Sequence, residues 1–110
     1  MHGIGAVHAA AVGFLAEVAG QPVRRVTLGL GPGVDPDVVD TTWRSAVQDS
    51  PAATAEVIWS RQQDLLRCLG CLTDYRGGKL DRCPSCGSDG LVIEAAPEVA
   101  VIEWLPTEHR

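Results

Sequence analysis

The chain has 110 residues, of which 45% are hydrophobic, 5% aromatic and 21% charged, with nine basic residues against fourteen acidic ones and a net charge of −5. That length suits one domain, or one domain with a small satellite, and leaves no room for a second full-sized catalytic domain. An acidic balance is the reverse of the basic footprint that phosphate backbones select, so nucleic acid is not expected as a main partner.

The chain opens Met1-His2-Gly3-Ile4 with no basic region ahead of an apolar run, and residues 4–19 are interrupted by His8, Gly13 and Glu17. The expectation is therefore no signal peptide, no transmembrane span, no membrane partner and a cytoplasmic location. Ile4, Val7, Ala11, Phe14, Leu15 and Val18 recur at spacings of three and four, which predicts an amphipathic helix over 4–18 that stops at Gly20 and Pro22. His8 falls between Ile4 and Ala11 and is expected as a partly buried, hydrogen-bonded histidine, whereas His109 is expected to be exposed.

From Arg24 to Leu30 the pattern alternates, with Val26, Leu28 and Leu30 on one side and Arg25, Thr27 and Gly29 on the other, the period of a half-buried strand. Gly31-Pro32-Gly33 marks a turn. Asp35 then offers a capping side chain ahead of Pro36, and Val38, Val39, Thr42, Trp43, Ala46 and Val47 form the apolar face of a second helix ending near Asp49-Ser50-Pro51. Thr54 to Trp59 reads as a strand, with Ala55, Val57 and Trp59 set against Glu56 and Ile58, and Ser60 to Asp64 reads as a polar connector.

From Leu65 to about Ala95 the composition changes. All four cysteines, five glycines and the lone lysine lie here, with little apolar periodicity before Leu91-Val92-Ile93. A segment this short cannot hold itself together by burial, so a bound metal is expected to supply the difference. Pro97 to Leu105 returns to a strand pattern, Val99, Val101 and Glu103 alternating with Ala100, Ile102 and Trp104, and this strand is expected to rejoin the sheet of the N-terminal region. No internal repeat or low-complexity tract is apparent.

Cys68-Leu69-Gly70-Cys71 and Cys83-Pro84-Ser85-Cys86 are two C-x2-C knuckles separated by eleven residues. Each can turn two thiolates toward one point, and the loop between them is long enough to close a tetrahedral four-sulfur site. Zinc is the default occupant, and four protein thiolates leave no open position, so such a site is structural. Iron suits the same tetrahedral shell. Two disulfides are the other use of four cysteines, which a reducing compartment disfavours. Gly70 and Gly87 are expected to supply tight turns at positive φ.

At the other end, a terminal amine, the amide nitrogens after it and the His2 imidazole can form fused chelate rings in one plane. Planar nitrogen coordination is what Ni(II) and Cu(II) prefer and zinc does not need. A solvated terminus with no ligand is the alternative.

Met1-His2 opening an amphipathic helix, Val26-Thr27-Leu28-Gly29-Leu30-Gly31 as a strand and turn, and Cys68-x2-Cys71 with Cys83-Pro84-Ser85-Cys86-Gly87-Ser88 together resemble the hydrogenase nickel-incorporation family HypA/HybF in order and spacing over essentially the whole chain. The resemblance implies an α+β fold: a small mixed nickel-binding domain of two helices on a three-stranded sheet, residues 1–64 plus 96–110, with an inserted zinc-ribbon-like domain at 65–95. It also implies a nickel metallochaperone that delivers Ni(II), with a nickel-handling GTPase accessory protein (HypB-like), to the large-subunit precursor of nickel-iron hydrogenase. Carried over residue by residue, nickel falls on the Met1 amine, the ring and backbone nitrogens of His2 and the backbone nitrogen of Gly3. Zinc falls on Cys68, Cys71, Cys83 and Cys86. A monomer or weak homodimer is expected. Three departures stand out: the family usually carries Glu where Gly3 stands, the Gly31–Val34 turn is about two residues shorter than usual, and the second helix carries Trp43 where more aromatics are common.

An enzyme is not expected. Gly29-Leu30-Gly31-Pro32-Gly33 lies between a strand and a helix like a dinucleotide loop, but Val34 occupies the third glycine position and Pro32 interrupts the turn. Lys79 is followed by Leu80, so no phosphate-binding lysine motif exists, and no nucleophile–base grouping stands out once the cysteines are assigned. Two alternatives remain open. One is a zinc-ribbon binding module for nucleic acid or protein, suggested by Arg67, Arg76, Lys79 and Arg82 around Tyr75; the other is a rubredoxin-like iron electron carrier, suggested by Cys83-Pro84-x-Cys86-Gly87.

Overall fold

The computed structural model describes residues 4–78 and 80–107. Helix α1 spans Ile4–Val18, and Val7, Ala11, Phe14 and Val18, three and four apart, are its buried positions. Ala19 and Gly20 then both take left-handed backbone, φ 51° and 85°, which ends the helix. Strand β1, Val23–Leu30, buries Val23, Val26, Leu28 and Leu30. Helix α2, Pro36–Val47, starts as its sequence dictates: the Asp35 side chain accepts the Asp37 amide at 2.9 Å, and Pro36 occupies the first helical position, where a missing N–H costs nothing. Its buried face is Val39, Trp43 and Val47.

Strand β2, Glu56–Arg61, runs parallel to β1, with Val26 opposite Val57 and Leu28 opposite Trp59, and α2 is the crossover that a parallel pair requires. The chain then leaves this sheet through β3 (Asp64–Cys68), β4 (Asp74–Gly77) and β5 (Gly90–Glu94), and returns as β6 (Val99–Pro106), antiparallel to the free side of β1. The first sheet therefore has the order β2-β1-β6 and the second β4-β3-β5, all antiparallel. Both helices cover one face of the first sheet, where the Phe14 ring lies 5.7 Å from that of Trp43 and 5.9 Å from that of Trp104. The architecture is mixed α+β, and the last strand joins the first sheet as the alternation at 97–105 implies.

The sequence expectation needs several local corrections. His8 is exposed, because the buried stripe spreads from Val7 and Ala11 toward Ala6 and Ala10, not toward position 8. Val38, placed on the apolar face of α2, is 46% exposed. Ser60 and Arg61 belong to β2, so the connector shrinks to Gln62-Gln63, and Trp59 is left 37% exposed because β2 is the edge of its sheet. Strict alternation in β6 sets Trp104 opposite to Val99 and Val101. A bulge between Thr27 and Leu28 of β1 inserts Ile102, so that Val99, Val101 and Trp104 all reach the core. Gly29 makes room for this arrangement: a Cβ there would lie 2.7 Å from Ile102 Cδ1 on the face without helices. Finally, β3 and β4 lie in a stretch with no visible strand period.

The radius of gyration is 16.8 Å and the longest extent 55 Å, against about 13 Å for a compact chain of this length. Two separate cores explain the elongation. One joins α1, α2 and the first sheet; the other consists of Leu66, Cys68, Tyr75 and Cys83, with Val92 packed against them. The junction is pinned by hydrogen bonds. Arg61 Nη1 donates to Gly31 O at 2.7 Å and Val34 O at 2.9 Å, the Ala96 amide donates to Asp64 Oδ1 at 2.7 Å, and the Gly31 amide donates to Glu98 O at 3.0 Å.

Candidate metal centre

The second sheet exists to aim two turns at each other. Cys68 is the last residue of β3, and the turn after it leads into β4; Cys83 begins a turn that leads through the Arg82–Asp89 bridge into β5. The Leu69 amide donates to Asp89 O at 3.0 Å, which ties one turn to the end of the other. Under them Tyr75 is buried, its hydroxyl donating to Asp81 O at 2.8 Å. Burial, and then the charges of Cys68 and Cys83, push the pKa of that phenol above its ordinary value, so it stays a neutral donor.

All four cysteine sulfurs lie within 4.8 Å of one another. The closest pairs are Cys68 Sγ to Cys86 Sγ at 3.3 Å and Cys71 Sγ to Cys83 Sγ at 3.7 Å, far beyond the bond length of about 2 Å in a disulfide. Each close pair takes one cysteine from each knuckle. A tetrahedron with metal–sulfur bonds of about 2.3 Å has sulfur–sulfur edges of about 3.8 Å, and the four sulfurs bracket that value. The donor set and its spacing therefore fit a four-coordinate thiophilic cation, with no position left for an outside ligand. Cys68 and Cys83 are buried, and Cys71 and Cys86 are exposed.

The polar surroundings favour thiolates. The amides of Gly70 and Cys71 donate to Cys68 Sγ at 3.2 and 3.3 Å, and the amide of Ser85 donates to Cys83 Sγ at 3.4 Å. Cys71 Sγ and Thr73 Oγ1 are 3.3 Å apart, and this hydroxyl, then the Thr73 amide, hold the Cys71 thiol below the ordinary thiol range. The Ser88 hydroxyl and amide do the same for Cys86, lowering it to about 6. At Cys68 the Cys71 amide pulls downward, but burial and the facing Cys86 sulfur push the net effect upward.

Two residues that the cysteine pattern did not single out, Thr73 and Ser88, thus touch the site. The signal was present in the sequence: both knuckles read Cys-x-x-Cys-x-[Ser/Thr]. The backbone repeats as well. The Cys68 amide donates to Thr73 O and the Cys83 amide to Ser88 O, both at 2.9 Å, while the Leu72 amide donates to Cys68 O at 3.1 Å and the Gly87 amide to Cys83 O at 2.9 Å. Leu72 and Gly87 occupy the same place in the two turns with φ 64° and 77°. The sequence does carry a short internal repeat, six residues long. Gly87 has the expected positive φ, but Gly70 is needed for another reason: a Cβ there would meet Ser88 Oγ at 2.5 Å and Cys86 Sγ at 3.4 Å.

Met1, His2 and Gly3, the residues assigned to nickel, lie outside the described residues, as do Lys79 and His109; α1 begins directly after Gly3. The basic residues near the knuckles are mostly engaged. Arg67 Nε bonds Asp74 Oδ1 at 2.9 Å, which holds the Asp74 carboxyl below its usual range, and Arg82 Nη1 lies 3.9 Å from Asp89 Oδ1. Tyr75 faces the core, so it presents no exposed ring for stacking.

A helix-covered β2-β1-β6 sheet, interrupted between its last two strands by a three-stranded unit with four converging cysteines, defines a small metal-site protein of the zinc-ribbon-bearing kind. The family model described as hydrogenase/urease nickel incorporation, metallochaperone, hypA, matches residues 1–104. The chain belongs to this HypA family of nickel metallochaperones for hydrogenase maturation. It is 30% identical over 87 residues to the hydrogenase maturation factor HypA of Geotalea uraniireducens, covering 76% of this chain and 79% of the relative. The corresponding protein of Geobacter metallireducens is 29% identical over the same shares. The solution structure of the Ni metallochaperone HypA from Helicobacter pylori has the same fold, with a TM-score of 0.60 at 15% identity, covering 96% of this chain and 95% of that one.

Proposed function

We propose that this chain carries Ni(II) at its N-terminus and hands it, together with a HypB-like GTPase, to the large-subunit precursor of nickel-iron hydrogenase, with zinc as a resident structural ion. The observation that carries the reading is the family match over residues 1–104, supported by relatives that are themselves named hydrogenase maturation factors. Residues 1–64 with 96–110 form the nickel-handling domain in this reading, and residues 65–95 the zinc-binding insert.

The division of labour follows from coordination chemistry. Four thiolates around one ion, Cys68, Cys71, Cys83 and Cys86, close the shell, so a cargo that must leave cannot share that site. Zinc there supplies cross-linking of two turns and no chemistry on a substrate. The Met1 amine, the His2 ring and backbone nitrogens and the Gly3 backbone nitrogen offer the planar nitrogen set that Ni(II) prefers. A site at a chain end can release its ion stepwise without opening a core. No described helix is long and apolar enough to cross a membrane. No catalytic step belongs to this chain, and nucleotide hydrolysis falls to the partner.

Nickel titration of the intact chain, of His2→Ala and of a version extended by one residue ahead of Met1 tests the cargo site. The intact chain should take up one nickel with the visible absorption of a planar nitrogen complex, and both variants should lose it; equal binding by all three overturns the assignment. Elemental analysis of the purified protein should return about one zinc per chain. Iron at that stoichiometry, with a coloured protein, would favour the rubredoxin-like alternative.

A further inference from the structure

The two metal-site turns have the same backbone but different sequences between their cysteines, Leu69-Gly70 in one and Pro84-Ser85 in the other. What they share beyond the cysteines is a hydroxyl residue two places after the second cysteine. In both turns this residue's carbonyl accepts the amide of the first cysteine, which sets its backbone at the same place relative to the second cysteine. Thr73 Oγ1 lies 3.3 Å from Cys71 Sγ. Ser88 Oγ and Cys86 Sγ both sit over Gly70, within 2.5 and 3.4 Å of where a Cβ would be.

Four thiolates around a divalent cation leave two negative charges uncompensated, and these must be met by hydrogen-bond donors. Backbone amides serve the first cysteine of each knuckle, at Cys68 from Gly70 and Cys71 and at Cys83 from Ser85. Cys71 and Cys86 are the exposed members of the set. We propose that Thr73 and Ser88 are a matched pair of positioning residues, whose hydroxyls donate to the Cys71 and Cys86 thiolates, hold these exposed sulfurs in the inward orientation and raise the metal affinity of the site. This rests on the assignment of a divalent metal to the four cysteines. Ser88 is half-buried and Thr73 exposed, so the Ser88 bond competes less with water and is the stronger of the two.

The test uses the full-length chain with Co(II) and Zn(II) in competition with a chromogenic chelator. Thr73→Val keeps shape and loses the donor; Ser88→Ala loses the donor; Thr73→Ser keeps it. Each donor loss should weaken both metals about tenfold, with Ser88→Ala the larger loss, and should move the thiolate-to-Co(II) charge-transfer band to lower energy as the sulfur becomes more electron-rich. Thr73→Ser should match the parent in affinity and band position, which a variant acting only through packing would not do. Unchanged affinity and band in both donor-loss variants overturns the proposal, as does a Thr73→Ser chain that behaves like Thr73→Val. If the parent chain binds neither Co(II) nor Zn(II), the metal assignment fails; if the parent binds and the variants equal it, only the hydroxyl pair fails.

Discussion

The two halves of this molecule are held together by different physics. Among the described residues, the helix-covered sheet has a core of fourteen buried side chains that runs from Val7 to Val99 and is almost wholly aliphatic apart from Phe14 and Trp43. The inserted unit has four, and two of these are cysteines. Burial at about 25 cal/mol per Å2 of apolar surface can fold the first without help. The second folds around Leu66 and Tyr75 and leaves Leu69, Leu72, Leu80 and Leu91 exposed, so burial supplies little of its order, and the proposed metal would supply the difference. In the proposed function the same contrast separates two metals, one as scaffold in the small unit and the other carried outside it.

The largest expected effect breaks this comparison at its weaker side. Stripping the metal with a chelator, or replacing Cys83 with Ser, should abolish amide-exchange protection in β3, β4 and β5 while that of α1, α2, β1, β2 and β6 survives. Exchange followed residue by residue decides it. Common loss of protection in both units, or survival of β3 without metal, would refute the division.

The converse cut comes next. Trp43 is 1% exposed and packs against the Phe14 ring at a tilt of 36°, so Trp43→Ala should cost about 3–5 kcal/mol in denaturant unfolding of the first core. The zinc content should remain that of the parent chain. A parallel fall in zinc content would show that the cysteine unit leans on the larger core.

Much of this contrast was legible in the sequence. The three-and-four spacing of α1, the alternation of β1 and the Asp35-Pro36 start of α2 pointed to the larger unit, and cysteine spacing alone pointed to the four sulfurs that converge in the smaller one. What escaped was whatever depends on neighbours distant in the chain. Asp64–Cys68 and Asp74–Gly77 are too short to show a period, and they become strands only because β3 has partners on both sides. The Ile102 bulge, which turns Trp104 inward, is a property of the β1–β6 pairing and not of β6. Thr73 and Ser88 could have been found by laying one knuckle on the other, but their contact with sulfur depends on the turn's backbone. The assignment of nickel to Met1, His2 and Gly3 is a proposal that rests on the resemblance to the family and on coordination chemistry.

A smaller effect probes the seam between the two units. Gly31 lies where the returning chain passes: a Cβ there would meet Pro97 O at 2.8 Å, a backbone atom that cannot swing aside. Gly31→Ala should destabilise by about 1–3 kcal/mol. It should speed exchange at the Gly31 and Ala96 amides, which bond across the seam, before it touches either core. An effect spread evenly over α1 and α2 instead would mean that the seam is part of the larger core.

The smallest expected effect is the most specific to the cysteine unit, because it compares the unit's two turns with each other. Leu72 and Gly87 share one backbone position at φ 64° and 77°, so only one of the two turns bears a side chain in the left-handed region. The cost of that region is about 1–2 kcal/mol for a residue with a Cβ, and Leu72 recovers little by contact because it is 70% exposed. Leu72→Gly removes the strain but adds freedom to the unfolded chain, at about 0.5–1 kcal/mol, so the unit should gain about 0.5–1 kcal/mol net. Gly87→Ala is the mirror experiment: nothing lies within 4 Å of the added Cβ, so the backbone term acts alone and should cost about 1 kcal/mol. Opposite signs in the metal-bound chain, read by thermal unfolding of the cysteine unit, would establish that the two turns are energetically as well as geometrically equivalent. The same sign for both would mean that Leu72 is held by contacts that its exposed position does not reveal.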